Sequence, residues 1–164
     1  MNDKIGWAAA AVFLLVVGWL GWTDFVSAVD SAKPWVIPVV VPGEVEAIKW
    51  LGANTPARAT IMYDIFGGET LMALVLRAPP VGGDWTTSPD AVQRMSDVTR
   101  FYVSSSAAEA HEIAVKYGAS YAVVPSRQVH CGFGWESVQA QKFSDANYFE
   151  KVFGNEGAVV YKVK

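Results

Sequence analysis

Side chains able to do chemistry recur in this sequence just after its apolar runs. In "ATIMYDIFGG" the run ends in a carboxylate, Asp64, with Gly67 and Gly68 close behind. "RFYVSSS" ends in three hydroxyls, Ser104 to Ser106, and "SYAVVPSRQVHC" leads into Arg127, His130 and Cys131. Arg77 closes "GETLMALVLR", and Trp85 follows Asp84 in the loop beyond it. In open α/β sheets, ligand sites lie outside the carboxyl ends of the parallel strands, and an acid, hydroxyls, guanidinium, imidazole and thiol there form a candidate set. Asp64, Arg77, Trp85 and Arg127 together would make a glycan-binding face, with Trp85 stacking on a sugar ring.

Each of these residues also has a structural reading. Asp64 can cap the helix that follows it or close an Asx-turn. The serines are accounted for as helix caps, and a tryptophan in a loop can be a lid over its own core. His130 and Cys131 are adjacent, so their side chains rarely point together, and no Asn or Asp is identifiable as an orienting partner. His111 lies mid-helix beside Glu112 and reads as surface. Two histidines and one cysteine make a poor zinc signature, which calls for about four ligands. "FGGETL" has neither the Lys-Ser/Thr of a P-loop nor the G-x-G-x-x-G spacing. From the residues alone, no catalytic residue, metal site or cofactor is expected.

The elements that would position these groups can be read from periodicity. "GEVEAIKWLGANTP" predicts a helix from Gly43 or Glu44 to Leu51, with Gly52 as its cap and Pro56 blocking continuation. Ala59 to Asp64 is a strand, and Gly68 to Arg77 a short helix apolar nearly all round. Ser88 and Pro89 open a helix running to about Ser96. Arg100 to Ser104 reads as a second strand, and Ser106 with Glu109 forms a capping box for a helix ended by Gly118. "SYAVVP" is a third strand, and a short helix is expected near Glu136 to Gln141. "YFEKVF" and "AVVYKVK" flank Gly154 to Gly157 as a hairpin. The expected fold class is therefore α/β: a small mixed sheet with parallel βαβ crossovers and a C-terminal antiparallel hairpin, comprising residues 43–164.

The N-terminus differs in kind. The chain has 164 residues, 52% hydrophobic and 18% charged, and from Ile5 to Trp22 none is charged. Eighteen helical residues span about 27 Å, close to a bilayer core. Trp7 stands near one end, with Trp19 and Trp22 at the other, where indole prefers the interface. Residues 5–26 therefore read as a transmembrane anchor. The alternative is a cleaved signal peptide, with "MNDK" as n-region and Val26-Ser27-Ala28 near the cleavage site. The run exceeds the usual apolar region of about 7–15 residues, which favours an uncleaved anchor. Ala8 and Ala11 would let a neighbouring helix approach closely. Lys4 and Lys33 flank the span almost evenly, and we take the N-terminus as cytoplasmic and the remainder as extracytoplasmic.

Residues 27–42 contain Pro34, Pro38 and Pro42 and read as an extended, apolar linker. Trp35, Val36 and Ile37 could pack along their own domain, or lie on the membrane or a partner. Net charge is −3 with no basic cluster, so a nucleic-acid partner is not expected. A single cysteine allows no internal disulfide.

Taken in order, "EVEAIKWLGANTPARATIMYDIFGGETLMALVLRAPPVGG" resembles the segment after the last membrane span of polytopic glycosyltransferases that use lipid-phosphate sugars, of the oligosaccharyltransferase catalytic-subunit type. Trp50-Leu51, Asn54-Thr55-Pro56, Asp64, Gly67, Arg77 and Gly82-Gly83 occupy the matching places. "SSSAAEAHEIAVKYGASYAVVP" and "YFEKVFGNEGAVVYKV" are similar to the family's serine-capped helix, following strand and final hairpin. That family carries W-W-D-Y-G where this chain has Met62-Tyr63-Asp64-Ile65-Phe66-Gly67, and its catalytic acids lie in loops between many spans. The resemblance implies a shared fold without the activity. With no active site of its own, an apolar linker and seven tryptophans, the chain reads as a non-catalytic, membrane-anchored accessory subunit whose domain binds an integral membrane protein or complex. A glycan or lipid-linked-sugar module is the alternative.

Overall fold

The computed structural model of the protein describes residues 3–36, 39–82 and 88–164. Ile37 and Trp85 lie outside the described residues, as do the side chains of Ala8 and Val36. The chain divides into two compact units, Met1–Pro38 and Val39–Lys164.

The first unit is one helix, α1 (Asp3–Val36). Its segment Ala10–Lys33 is long and apolar enough to cross a membrane, and none of it is buried in the protein. Trp7, Trp19 and Trp22 are exposed along it, as are Ala11 and Trp35. The helix continues through Pro34, where the spacing of prolines implied an extended segment. Pro34 falls in the last turn, so its missing N–H removes a single intrahelical bond.

The second unit begins with Val39 to Val41, half-buried. Helix α2 (Pro42–Asn54) follows, with proline at its start, where a missing N–H costs nothing. Then come β1 (Thr60–Met62), α3 (Ile65–Val75), α4 (Ala91–Val103), α5 (Ala107–Lys116) and β2 (Ala119–Pro125). A small ladder, β3 (Val129–His130) with β4 (Trp135–Glu136), precedes a 3₁₀ turn, Ala140–Ser144, and the hairpin β5 (Phe149–Gly154) and β6 (Ala158–Val163). The main sheet runs β1-β2-β6-β5, with β1 parallel to β2 and the other pairs antiparallel. Alternation along the strands feeds two cores. Ile61, Tyr63, Val123 and Val160 pack with Ala47, Ile48 and Leu51 of α2 and Leu71 of α3. Met62, Ala122 and Val124 face Met95, Val98 and Phe101 of α4 and Ile113 of α5 on the other side. The unit is a mixed α/β sandwich with a terminal hairpin, the fold class the sequence implied.

Several element boundaries differ from the expectation. Arg100 to Ser104 is not a strand but the end of α4, with Ser104 as its C-cap. Its β-branched and aromatic residues suit a strand, but Met95, Val98, Phe101 and Tyr102 recur at helical spacing and are all buried. One parallel pairing therefore stands where two were expected, and α3, α4 and α5 all lie in a single crossover. α4 starts at Ala91 rather than near Pro89. Gly52 lies inside α2, which Thr55 caps, and α3 spans Ile65–Val75 rather than 68–77. Trp135 and Glu136 pair in β4, and the short helix begins only at Ala140. The Ser106 cap holds, its hydroxyl accepting from the Glu109 N–H at 3.2 Å.

Candidate functional site

Asp64 stands where β1 hands the chain to α3. Its Oδ1 accepts the Gly67 N–H at 3.1 Å and so caps the helix. Gly67 is required there: a Cβ would lie 2.3 Å from the Tyr63 ring, inside contact distance. The sequence "YDIFGG" therefore makes a tight strand-to-helix turn in which the tyrosine ring lies against the first helical turn.

Asp64 does more than cap. Arg127, in the segment after β2, donates from Nη1 to Oδ2 at 2.8 Å and from Nη2 to Oδ1 at 3.0 Å. The His130 backbone N–H adds a fourth donor at 3.0 Å. The Nε edge of Arg127 turns to a second acid, Glu44 in the first turn of α2, reaching its two oxygens at 2.8 and 2.9 Å. Both acid side chains are 0% exposed and that of Arg127 is 6% exposed. One guanidinium thus clamps α2, β1 and the β2–β3 connection by its two edges. This is geometry that only Arg supplies.

Burial shapes the electrostatics. Loss of solvent pushes the Glu44 carboxyl up to about 7, against the pull of Arg127. Tyr63, buried beside the acids, is raised well above the usual phenol range by desolvation first and by Glu44 and Asp64 next. Its hydroxyl lies beside the Glu44 carboxyl, to which it couples by charge and by a weak hydrogen bond. Burial alone would lower the Arg127 guanidinium, but hydrogen bonds and charge from Asp64, then Glu44, hold it above its ordinary value. Burial pushes the Cys131 thiol up and the half-buried His130 imidazole down. A buried, protonated thiol is a poor nucleophile.

Arg77 is buried elsewhere, at the far end of α2. It donates to Thr55 Oγ1 (3.0 Å), to the Gly52 and Thr55 carbonyls (3.0 and 2.7 Å) and to the Val75 carbonyl (2.7 Å). It satisfies the orphan carbonyls where α2 and α3 end. The structure therefore brings Asp64 and Arg127 together and places Arg77 in a separate network. Ser104 to Ser106 lie at the α4–α5 junction rather than at a strand end. His111 is half-buried, its Nε2 2.6 Å from the Lys164 carbonyl oxygen. Phe66 stacks on Trp135, with His130 edge-on, next to the clamp.

Glu44 and Tyr63 were missed from sequence. Glu44 reads as an ordinary first-turn acid that favours the helix dipole, and its partner lies 83 residues away. No local spacing could have joined them.

The fold of the α/β unit is similar to that of the C-terminal globular domain of oligosaccharyltransferase from Archaeoglobus fulgidus. The match covers 76% of this chain and 99% of that one, with a TM-score of 0.55 and 13% sequence identity. At that identity the likeness is one of fold. No protein-family model matches the chain, and no curated protein does.

Proposed function

We propose that the chain is a single-pass membrane protein whose α/β unit docks on, and stabilises, a larger membrane protein or complex, without catalysing a reaction itself. In this reading residues 5–26 anchor the chain in the cell membrane with the N-terminus cytoplasmic, 27–42 connect, and 43–164 form an extracytoplasmic domain. The observation that carries it lies at the strand ends. The acid and guanidinium that a ligand would need there, Asp64 and Arg127, are buried and bonded to each other. A charged pair held this way fixes three elements in register. The exposed apolar length of α1 and the resemblance of the second unit to a domain of an oligosaccharyltransferase support the rest.

Extraction from native membranes in mild detergent, followed by native sizing and identification of co-purifying chains, tests the reading. A stable stoichiometric complex is expected; a monodisperse monomer with no co-purifying protein refutes it. Exchanging α1 for an all-Leu helix then separates span from domain. Loss of association would assign contact to Ala8, Ala11 and their neighbours, whereas full retention leaves the α/β unit and the Trp35 to Ile37 segment.

A second reading, a glycan or lipid-linked-sugar module, draws support from the half-exposed Phe66–Trp135 stack beside the clamp, since aromatic faces pack on sugar rings. Titration with a lipid-linked sugar, repeated with Trp85→Ala and Trp135→Ala, distinguishes it. Saturable binding weakened by either change would favour the module; no binding removes it.

A further inference from the structure

The clamp holds an odd number of charges. One buried guanidinium, Arg127, faces two fully buried carboxyl groups, Glu44 and Asp64. With both acids ionised, the cluster would carry an uncompensated negative charge next to the Tyr63 hydroxyl. A buried uncompensated charge is costly, and a proton is its usual relief. The two acids are not equal candidates for that proton. Asp64 takes four donors: the Gly67 and His130 N–H groups and both Nη atoms of Arg127. Among the described residues Glu44 takes Arg127 Nε and a weaker contact from the Tyr63 hydroxyl. Glu44, with the fewer donors, is the better seat for that proton.

We propose that Glu44 is a proton-operated latch: protonated, it holds the first turn of α2 against Arg127, and its ionisation undocks that turn. The neighbouring contacts show why the movement is local. The residue before α2, Val41, makes no side-chain cap. Apart from Glu44, the first turn is held from the hairpin loop by Asn155, which donates to the Gly43 carbonyl at 2.9 Å and to Glu46 at 3.0 Å. Gly43 and Gly157 bring their backbones together so closely that a Cβ on Gly43 would lie 2.8 Å from the Gly157 Cα. One helical turn further on, Ala47, Ile48 and Leu51 are fully buried in the core and stay in place.

The groups around the latch can be named element by element. Tyr63 and Asp64 face Glu44 from the β1–α3 junction and Arg127 from the segment after β2. His130 and Cys131 join through Asp64. The charged residues elsewhere on the elements packed against α2, namely Glu69 of α3, Glu150 and Lys151 of β5 and Lys162 of β6, are exposed, as are Glu46 and Lys49 on α2 itself. Desolvation raises the Glu44 carboxyl from 4.5 to about 7 while docked. An acid that binds its proton more tightly when docked favours docking at low pH. The docked-to-undocked ratio falls as much as about tenfold per pH unit between those two values and levels off above them.

Hydrogen exchange on the full chain in detergent, corrected for intrinsic rates, measures this. Between about pH 5 and about pH 9, peptides covering residues 42–48 should lose at least about tenfold in protection relative to those covering β2. Glu44→Gln, which keeps the shape of the protonated acid, should hold its protection at both values. Unchanged protection in the natural chain, or the same loss in Glu44→Gln, overturns the proposal. Because that variant could fold poorly, infrared difference spectroscopy of the unaltered chain is the second measurement. A buried, protonated carboxyl band should persist at about pH 6, above the ordinary carboxyl range, and vanish by about pH 9. Its absence at about pH 6 refutes the latch without bearing on whether the unit docks on a membrane complex.

Discussion

Arg127→Leu removes the clamp while filling part of its volume. Two carboxyl groups, each 0% exposed, would lose the one cation that pairs with them among the described residues, and Glu44 its shortest hydrogen bond. Asp64 would keep the Gly67 and His130 N–H groups. Removing one partner of a buried pair costs about 3–5 kcal/mol, since the remaining charge stays buried and unpaired. For a unit of this size that is a fall in Tm of roughly 10–25 °C. The loss should depend on pH in a stated direction. The Glu44 carboxyl already sits at about 7 in the clamp, and without Arg127 it rises further. A carboxyl raised in the folded state stabilises below its unfolded value and ceases to do so as pH rises through its folded one. The variant should therefore lie closest to the natural protein near about pH 5 and fall furthest behind at about pH 8. Thermal melting of the full chain in detergent, followed by near-UV circular dichroism, gives both numbers. A change below about 1 kcal/mol at about pH 8 would mean that the acids find solvent or other donors and that the clamp is incidental.

Three further outcomes follow from the same contacts. Glu44→Gln should raise stability by about 1–3 kcal/mol at about pH 9 and leave it nearly unchanged at about pH 5, because the shift from 4.5 to about 7 penalises only the ionised form; chemical denaturation at the two pH values checks this. Arg77→Lys should cost about 2–3 kcal/mol in the same assay, since one ammonium cannot reach the Gly52, Thr55 and Val75 carbonyls and the Thr55 hydroxyl together. Leu76→Gly should stabilise by about 1 kcal/mol in thermal melts: Leu76 caps α3 at φ 56 and ψ 42, a left-handed conformation that penalises a Cβ, and its side chain is 80% exposed, so little packing is lost.

The parts of the fold legible in the sequence are those whose cause is local. The α2 stripe, the Ser106 cap, the Asp64 turn before a glycine pair and the C-terminal hairpin all follow from residues within a few positions of one another. α4 was misread because "RFYV" satisfies strand propensity over four residues, while its helical evidence needs the longer stretch back to Met95. The α1 boundary was misplaced for a related reason. In sequence, a proline in a helix's last turn and a proline in an extended linker look alike.

The site was half legible, and the other half shows what kind of site it is. Asp64 and Arg127 are residues that the topology delivers to the same strand ends, 63 positions apart. A ligand site there would need polar groups that face outwards from the strand end. In this unit the first turn of α2 approaches the same end, where Glu44 takes the other edge of the Arg127 guanidinium and Gly43 meets the Gly157 backbone. A guanidinium with one edge on each of two acids has few donors left for a sugar: Arg127 Nη1 also donates to the Gln128 carbonyl. A ligand competing for Arg127 would have to displace Asp64 or Glu44 from a desolvated bidentate or forked contact, and charge-assisted bonds of that kind are the strong ones. The same residues that would recognise a glycan in an open cleft here tie α2, β1 and the β2–β3 connection together. What remains available to a partner is the surface outside the clamp, and the group inside it able to respond to the surroundings is the proton on Glu44.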